Sequence, residues 1–345
     1  MGEKKRIEYF DVMRLIMCLG VCWSHAIGGH IVAITNQIAH TPWLFGLFGQ
    51  TFVRICVSIF LMISGALLLK SEKNTSIKYV YKHRVLKWVL LLIIWSGICY
   101  AVRSAIGEFT PSVSDFVHRL LTNGFISSYW YLYTLIFLML VLPVMTAIAL
   151  KCERKHIWLM VIIGMITVYV PSFASKAFGL EITVFYRVLS GSYIPIIFFL
   201  GYLLTQEEIP AKIRGVIYMI GIFCFAMTFY LASQMYDTGS YDNTWLMDDG
   251  LLVLGMVVAF FVFCRYAKIM ARISRFRIVK WGASLSLGIY LVHQMMLRVY
   301  LYLNPIRPDE VTILYILKYY GSIVGIAAAV ALVLYVIPGV KKLVT

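Results

Sequence analysis

The sequence predicts an all-α, polytopic integral membrane protein with about ten transmembrane helices. Of its 345 residues, 61% are hydrophobic and only 14% are charged, and the mean hydropathy is +0.84. Soluble globular domains carry far more charge than this. The apolar residues form long continuous runs and do not alternate with polar ones, so the runs predict helices and not the strands of a barrel. We expect the whole chain, 1–345, to form a single transmembrane domain.

The apolar runs give the approximate position of each helix. A helix needs about 20 residues to cross a hydrocarbon core of about 30 Å. Runs of this kind, separated by short polar loops, predict helices at 9–30, 50–69, 85–106, 128–150, 156–172, 187–204, 214–235, 248–265, 281–302 and 311–337. The seven cysteines lie within or at the ends of these runs without a C-x-x-C pair, which predicts small core residues and not disulfides or metal ligands.

The distribution of basic residues predicts the orientation in the membrane. If the N-terminus lies in the cytosol, most of the 31 lysines and arginines fall in cytoplasmic segments, and the opposite orientation inverts this bias. We therefore expect both termini to be cytoplasmic. The net charge of +15 then faces anionic lipid and anionic cytosolic substrates. Binding of nucleic acid is not expected, because no loop is long enough to build a folded basic surface.

Ionisable residues inside predicted spans are the informative positions, since they usually face a cavity or the interior of the bundle. The first span contains three, in "FDVMRLIMCLGVCWSH": Asp11, Arg14 and His25. Eleven helical residues turn through about 1100°, which is about 20° from three full turns, and rise about 16 Å. Arg14 and His25 therefore share one face, and Asp11 lies within reach of an ion pair with Arg14.

Each of these residues has both a structural and a functional interpretation. Arg14 fits an interface anchor paired with Asp11, or a cation that holds an anionic molecule. His25 fits a hydrogen bond between packed helices, or a general base, because neutral imidazole accepts a proton from a hydroxyl at neutral pH. The spacing alone leaves both interpretations open.

Several stretches together resemble the acyltransferase-3 family of bacterial membrane O-acyltransferases. The pair Arg14-x10-His25 resembles the first-helix motif of that family. Five further stretches follow in the same order as in the family: "RICVSIFLMISGALLL", "YKHRVLKWVL", "SYWYLYTLIFLMLVLP", "IPIIFFLGYLL" and "SLSLGIYLVH". The resemblance spans nearly the full length. It departs at Lys87, where the basic R-x-x-R segment of the family has a second arginine.

The resemblance implies transfer of an acyl group, most often acetyl, from cytosolic acyl-CoA to an extracytoplasmic hydroxyl. The phosphates of acetyl-CoA would then be held by Arg84 and Lys87, with help from Lys82. The same cations also fit simple anchoring at the cytoplasmic interface. His25 would act as general base, Arg14 would orient the donor or stabilise negative charge on the carbonyl oxygen, and Asp11 would fix Arg14. No metal is expected.

Four further residues are candidates for the acceptor side of the site. Arg54, which we expect near the outer end of the second helix, fits contact with the acceptor or with the donor carbonyl, and it fits a structural ion pair equally well. Tyr290 and His293, one turn apart, fit the wall of the same cavity, and His293 also fits a structural hydrogen bond. Trp130 fits stacking on a sugar or an aromatic residue of the membrane interface.

The sequence thus predicts a multi-pass O-acyltransferase of the bacterial plasma membrane. The expected acceptor is a surface polysaccharide, peptidoglycan or a lipid-linked sugar, and the oligomeric state is left open. The alternative is a transporter of a small substrate such as an amino acid, since the membrane fold also resembles a domain fused to amino-acid racemases. A transporter predicts broken helices and paired repeats, and the sequence shows neither clearly.

Overall fold

A computed structural model of the chain describes residues 7–180 and 192–343. Throughout these residues the regular structure is helical, without a strand. Eight stretches within them are long and apolar enough to cross a membrane: Glu8–Val32, His40–Leu68, Ile77–Ala105, Ser127–Lys151, Arg154–Phe178, Ala211–Thr238, Thr244–Tyr266 and Ile313–Val336. An all-α protein with several membrane spans is therefore confirmed.

Two of the ten predicted spans are absent from that set. The span predicted at 187–204 contains the short helix Tyr193–Leu203, and residues 187–191 lie outside the described part of the chain. The span predicted at 281–302 lies in Arg277–Leu303, which is long enough but carries serine, histidine, glutamine and arginine residues that lower its hydropathy. The count of ten and the cytoplasmic termini stay predictions.

The individual helices are numbered in chain order. They are α1 (Glu8–Trp23), α2 (His40–Val53), α3 (Cys56–Leu68), α4 (Leu86–Ala105), α5 (Val113–Thr122), α6 (Trp130–Lys151), α7 (Arg154–Phe178), α8 (Tyr193–Leu203), α9 (Ala211–Ser233), α10 (Leu251–Tyr266), α11 (Arg277–Leu303) and α12 (Ile313–Val336). Short helices cover Ile77–Val80, Met235–Thr238 and Lys268–Ile273, and two segments have π-helical geometry, Ser24–Val32 and Tyr81–Val85.

The second span differs from its prediction. It begins at His40 and not at residue 50, and Pro42 falls in the first turn of α2, where proline is tolerated. A break at Arg54 and Ile55 separates α2 from α3. Arg54 therefore lies in the middle of the span, and the expectation that it lies near the outer end is wrong.

Helices α3 and α8 approach each other closely through two glycines. A Cβ atom at Gly65 would overlap the carbonyl oxygen of Phe198, and one at Gly201 would overlap the backbone of Met62. Without a hydrophobic driving force between helices in lipid, such close backbone packing is a main source of association. The crossing fixes α3, which forms part of the wall of the site.

Helix α1 lies at the centre of the bundle. One side of it, with Phe10, Met13 and Met17, packs into a core that includes α3 and α10. The other side, with Cys18 and Cys22, packs into a core that includes α4 and α11. All seven cysteines are free and six are buried, as expected of core residues, whereas Cys152 is exposed. The central position of α1 places its polar residues in the interior.

Candidate active site

A cavity of about 700 Å³ runs along α1 and collects most of the predicted site residues. Helix α1 and the π-helical segment after it contribute Arg14, Cys18, Val21, Ser24 and His25. The opposite walls come from residues of the second span, α4, α6 and α11, together with the loops before α6 and α10. The cavity is thus a space enclosed by several membrane-spanning stretches.

The predicted ion pair at the start of α1 is present. Arg14 Nη1 lies 3.6 Å from Asp11 Oδ1, and the Asp11 side chain is only 3% exposed while that of Arg14 is 34% exposed. A carboxylate this buried needs a cation or hydrogen-bond donors to offset its desolvation. Arg14 and His25 both line the cavity, so the shared face predicted from their spacing is confirmed.

His25 is the second residue of the π-helical segment Ser24–Val32. Such segments are rare and frequently occur at functional sites, because the wider turn re-aims side chains. The ring centre of His25 lies 5.2 Å from that of His293. Its Nδ1 atom lies 3.4 Å from Nε2 of Gln294, a residue that the sequence did not single out.

His293 lies behind the cavity wall and is fully buried. Its Nδ1 lies 2.6 Å from the carbonyl oxygen of Tyr290, so Nδ1 carries the hydrogen and donates it. Nε2 then carries a lone pair, and it has no hydrogen-bond partner among the described residues. Of the two residues predicted one turn apart, only Tyr290 reaches the cavity.

Three hydrogen bonds fix the loop before α6 onto α11. The Tyr290 hydroxyl donates to the carbonyl oxygen of Ser128 at 2.5 Å, and the Tyr129 hydroxyl donates to that of Leu291 at 3.2 Å. The backbone N–H of Ser128 donates to Gln294 Oε1 at 2.9 Å. Trp130, the first residue of α6, follows directly and lines the cavity.

Arg54 is held by three groups at the break between α2 and α3. Its Nη2 lies 3.3 Å from Asp248 Oδ1, its Nη1 lies 3.5 Å from Ser24 Oγ, and its Nε donates to the carbonyl oxygen of Leu246. Arg54 and Asp248 both line the cavity. The sequence did not point to Asp248, because an acidic residue in the polar loop "MDDG" carries no sign of a partner that is almost 200 positions away.

Of the three predicted donor-binding cations, only Lys87 lines the cavity. Arg84 Nε donates to Asn74 Oδ1 at 2.9 Å, and Lys82 is exposed on the π-helical segment Tyr81–Val85. Lys341, which the sequence did not single out, also lines the cavity, with its ammonium 4.4 Å from the ring centre of Tyr335.

The arrangement places cations and imidazole in one cavity. Arg14 and Lys87 supply positive charge, and His25 supplies a ring nitrogen at a rise of about 16 Å from Arg14 along the helix. No cluster of three or more potential metal ligands occurs in residues 7–180 and 192–343. These groups suit an anionic, elongated donor and a proton transfer at its far end.

Comparison with known proteins agrees with this geometry. No curated protein and no solved structure gives a significant match to the chain. The model of the acyltransferase-3 family, described as an acyltransferase domain, matches residues 7–337, nearly the whole length. The chain therefore belongs to the acyltransferase-3 family and is a membrane acyltransferase.

Proposed function

We propose that the protein transfers an acyl group, acetyl, from cytosolic acyl-CoA to a hydroxyl of an extracytoplasmic acceptor. The acceptor classes that fit are a surface polysaccharide, peptidoglycan and a lipid-linked sugar, and the location is the bacterial plasma membrane. One observation carries the proposal: a single cavity joins Arg14 and Lys87 to His25. A transporter is not favoured, because the family is one of acyltransferases.

The proposed donor, acyl-CoA, carries negatively charged phosphates at one end and a thioester at the other. Lys87, at the start of α4, and Lys341 both line the cavity, and their positive charges attract the phosphates of acyl-CoA in the proposed complex. Arg14 then lies between the phosphate end and His25, and Asp11 limits the directions in which its guanidinium can point. The acyl-pantetheine arm extends along this face of α1 toward His25.

The chemistry is one nucleophilic substitution at the thioester carbonyl. His25 accepts the proton of the acceptor hydroxyl as its oxygen attacks the carbonyl carbon. Collapse of the tetrahedral intermediate breaks the carbon–sulfur bond, and the proton on His25 passes to the departing thiolate of CoA. Arg14 orients the donor, and the low-dielectric surroundings strengthen any charge that it stabilises.

Purified protein in detergent tests this proposal. We expect it to bind radiolabelled acetyl-CoA and to release free CoA when a hydroxyl acceptor is present. A transporter would instead move its substrate across a vesicle membrane without consuming acetyl-CoA. If the wild-type protein neither binds nor consumes acetyl-CoA or another acyl-CoA, the proposed function is wrong.

A further inference from the structure

Gln294, a residue outside the predicted site, contacts the His25 ring through its side-chain amide. It follows His293 on α11 and is half-buried, at the point where the loop before α6 meets the π-helical segment of the first span. Its side chain contacts three groups: the Ser128 backbone, the Ser127 hydroxyl and the His25 ring. All three contacts join residues more than 160 positions apart in the chain.

The Ser128 contact fixes which end of the carboxamide faces His25. The Ser128 N–H can only donate, so the atom 2.9 Å from it must be the carbonyl oxygen of Gln294. The amide nitrogen of Gln294 therefore points the other way. It donates one hydrogen to Ser127 Oγ at 2.7 Å and directs its second hydrogen toward His25 Nδ1.

The same reasoning fixes the proton on His25. Because Gln294 Nε2 only donates, Nδ1 of His25 is the acceptor and carries the lone pair of the neutral ring. The other ring nitrogen, Nε2, then carries the hydrogen. The nitrogen that can take a proton from a hydroxyl is thus the one that faces Gln294.

The 3.4 Å separation of these two nitrogens is long for a hydrogen bond, so an incoming oxygen can displace their contact. Because the N–H of Gln294 Nε2 and the lone pair of His25 Nδ1 point toward each other, an oxygen that bridges them at about 2.8 Å from both atoms moves the two nitrogens about 1 Å further apart. A hydroxyl placed there donates its hydrogen to His25 Nδ1 and accepts one from Gln294 Nε2. As the proton leaves, the same N–H stabilises the charge that develops on the oxygen.

Gln294 lies on a side of His25 that does not belong to the donor cavity. His25 and Ser128 line the cavity, whereas Gln294 and Ser127 are not among its lining residues. Ser127 is exposed and Gln294 is half-buried, so the residues on this side of His25 extend to the protein surface. Donor and acceptor then meet at His25 from two directions.

On the basis of the proposed function, we propose that Gln294 binds the acceptor hydroxyl between its amide nitrogen and His25 Nδ1. Ser127 and Ser128 orient the Gln294 side chain for this contact. This makes Gln294 a substrate-binding residue of the transfer reaction. It also assigns the loop before α6 a role in positioning the acceptor. The proton removed from the acceptor goes to His25 Nδ1 and then to the thiolate of CoA.

Substitution at Gln294 tests this assignment with methanol as the acceptor probe, in competition with water. Purified protein is given acetyl-CoA and rising methanol, and methyl acetate, acetate and free CoA are measured. Gln294→Leu is expected to lower kcat/KM for methanol by about tenfold or more, since one hydrogen bond to a developing charge is lost. The KM for acetyl-CoA is expected to stay unchanged, because Gln294 lies outside the donor cavity.

Gln294→Glu separates binding of the acceptor from a merely structural role. The glutamate still accepts hydrogen bonds from the Ser128 N–H and the Ser127 hydroxyl, but it has no N–H to donate to an oxygen. We expect Gln294→Glu to be as defective as Gln294→Leu. Gln234→Leu, at an exposed glutamine whose amide contacts the Tyr230 carbonyl of its own helix, serves as the matched control and is expected to retain activity.

Two results would overturn the inference while the proposed function stands. One is wild-type activity with methanol in both Gln294 variants. The other is a defect in Gln294→Leu that Gln294→Glu restores, since that pattern indicates an anchor for the loop. Absence of CoA release by the wild-type protein refutes the proposed function itself, and the assignment of Gln294 with it.

Discussion

The ion pair between Arg54 and Asp248 gives a prediction whose size follows from the structure. The two side chains are 20% and 19% exposed, so neither charge is well solvated if its partner is removed. Arg54→Leu deletes the cation and also leaves the Leu246 carbonyl without its donor. Breaking a buried pair costs about 3–5 kcal/mol, and because a fifth of each side chain still reaches the cavity we expect about 3 kcal/mol here.

A double-mutant cycle isolates the ion pair from the other effects of each substitution. Asp248→Leu leaves the guanidinium with Ser24 and the Leu246 carbonyl, so we expect a smaller loss of about 2 kcal/mol. The double variant is expected to be more stable than the sum of the two losses predicts by about 1–2 kcal/mol, since it leaves no unpaired charge.

Equilibrium unfolding in mixed detergent micelles measures these free energies of unfolding. A stabilising contribution from this ion pair is refuted if Arg54→Leu loses less than about 0.5 kcal/mol, the usual size of an effect at an exposed surface position. It is also refuted if the losses of the two single variants add without coupling. Either result would mean that water in the cavity solvates both charges.

Three further outcomes follow from other parts of the structure. Lys87→Ala is expected to raise the KM for acetyl-CoA about tenfold, whereas Lys82→Ala, outside the cavity, leaves it unchanged in the same steady-state assay. Gly201→Ala is expected to lower the free energy of unfolding by about 1–3 kcal/mol through overlap with α3, and Gly325→Ala, where a Cβ meets open space, is expected to have no such effect. A hydrogen bond from the arginine one turn along α5 holds the pKa of Asp115 below its usual range. That contact therefore stabilises α5 at neutral pH and is lost as the pH falls through the lowered pKa. Amide hydrogen exchange of α5, measured at a series of pH values, checks this prediction. Asp115→Asn, which has no carboxyl group to titrate, is the control and is expected to show no such pH dependence.

The positions of Asp11, Arg14 and His25 relative to one another were predictable because all three lie on the helical first span, Glu8–Val32. The rotation between Arg14 and His25 depends only on helix geometry, and the π-helical segment begins at Ser24, too late to change their relative phase. The pairing of Asp11 with Arg14 is equally local, at a spacing of three residues. The sequence therefore sufficed to place these side chains along one side of a cavity.

The remaining contacts depend on tertiary packing that the sequence does not show. Asp248 meets Arg54, and Gln294 meets His25, across separations of 194 and 269 residues. A lone glutamine in an apolar run has no pattern that indicates its partner. Lys82 does not line the cavity, because the local geometry of the segment Tyr81–Val85 decides where its side chains point.

The proposed reaction divides its roles: His25 takes the proton of the acceptor, while separate groups hold the donor. Its most direct test is a pair of measurements on His25→Ala: binding of acetyl-CoA by isothermal titration calorimetry and release of CoA in the presence of an acceptor. His118→Ala, at an exposed histidine on α5, is the matched control and is expected to behave like the wild-type protein. We expect His25→Ala to bind acetyl-CoA with unchanged affinity and to lose its turnover. Turnover near the wild-type rate in His25→Ala would contradict this division of roles.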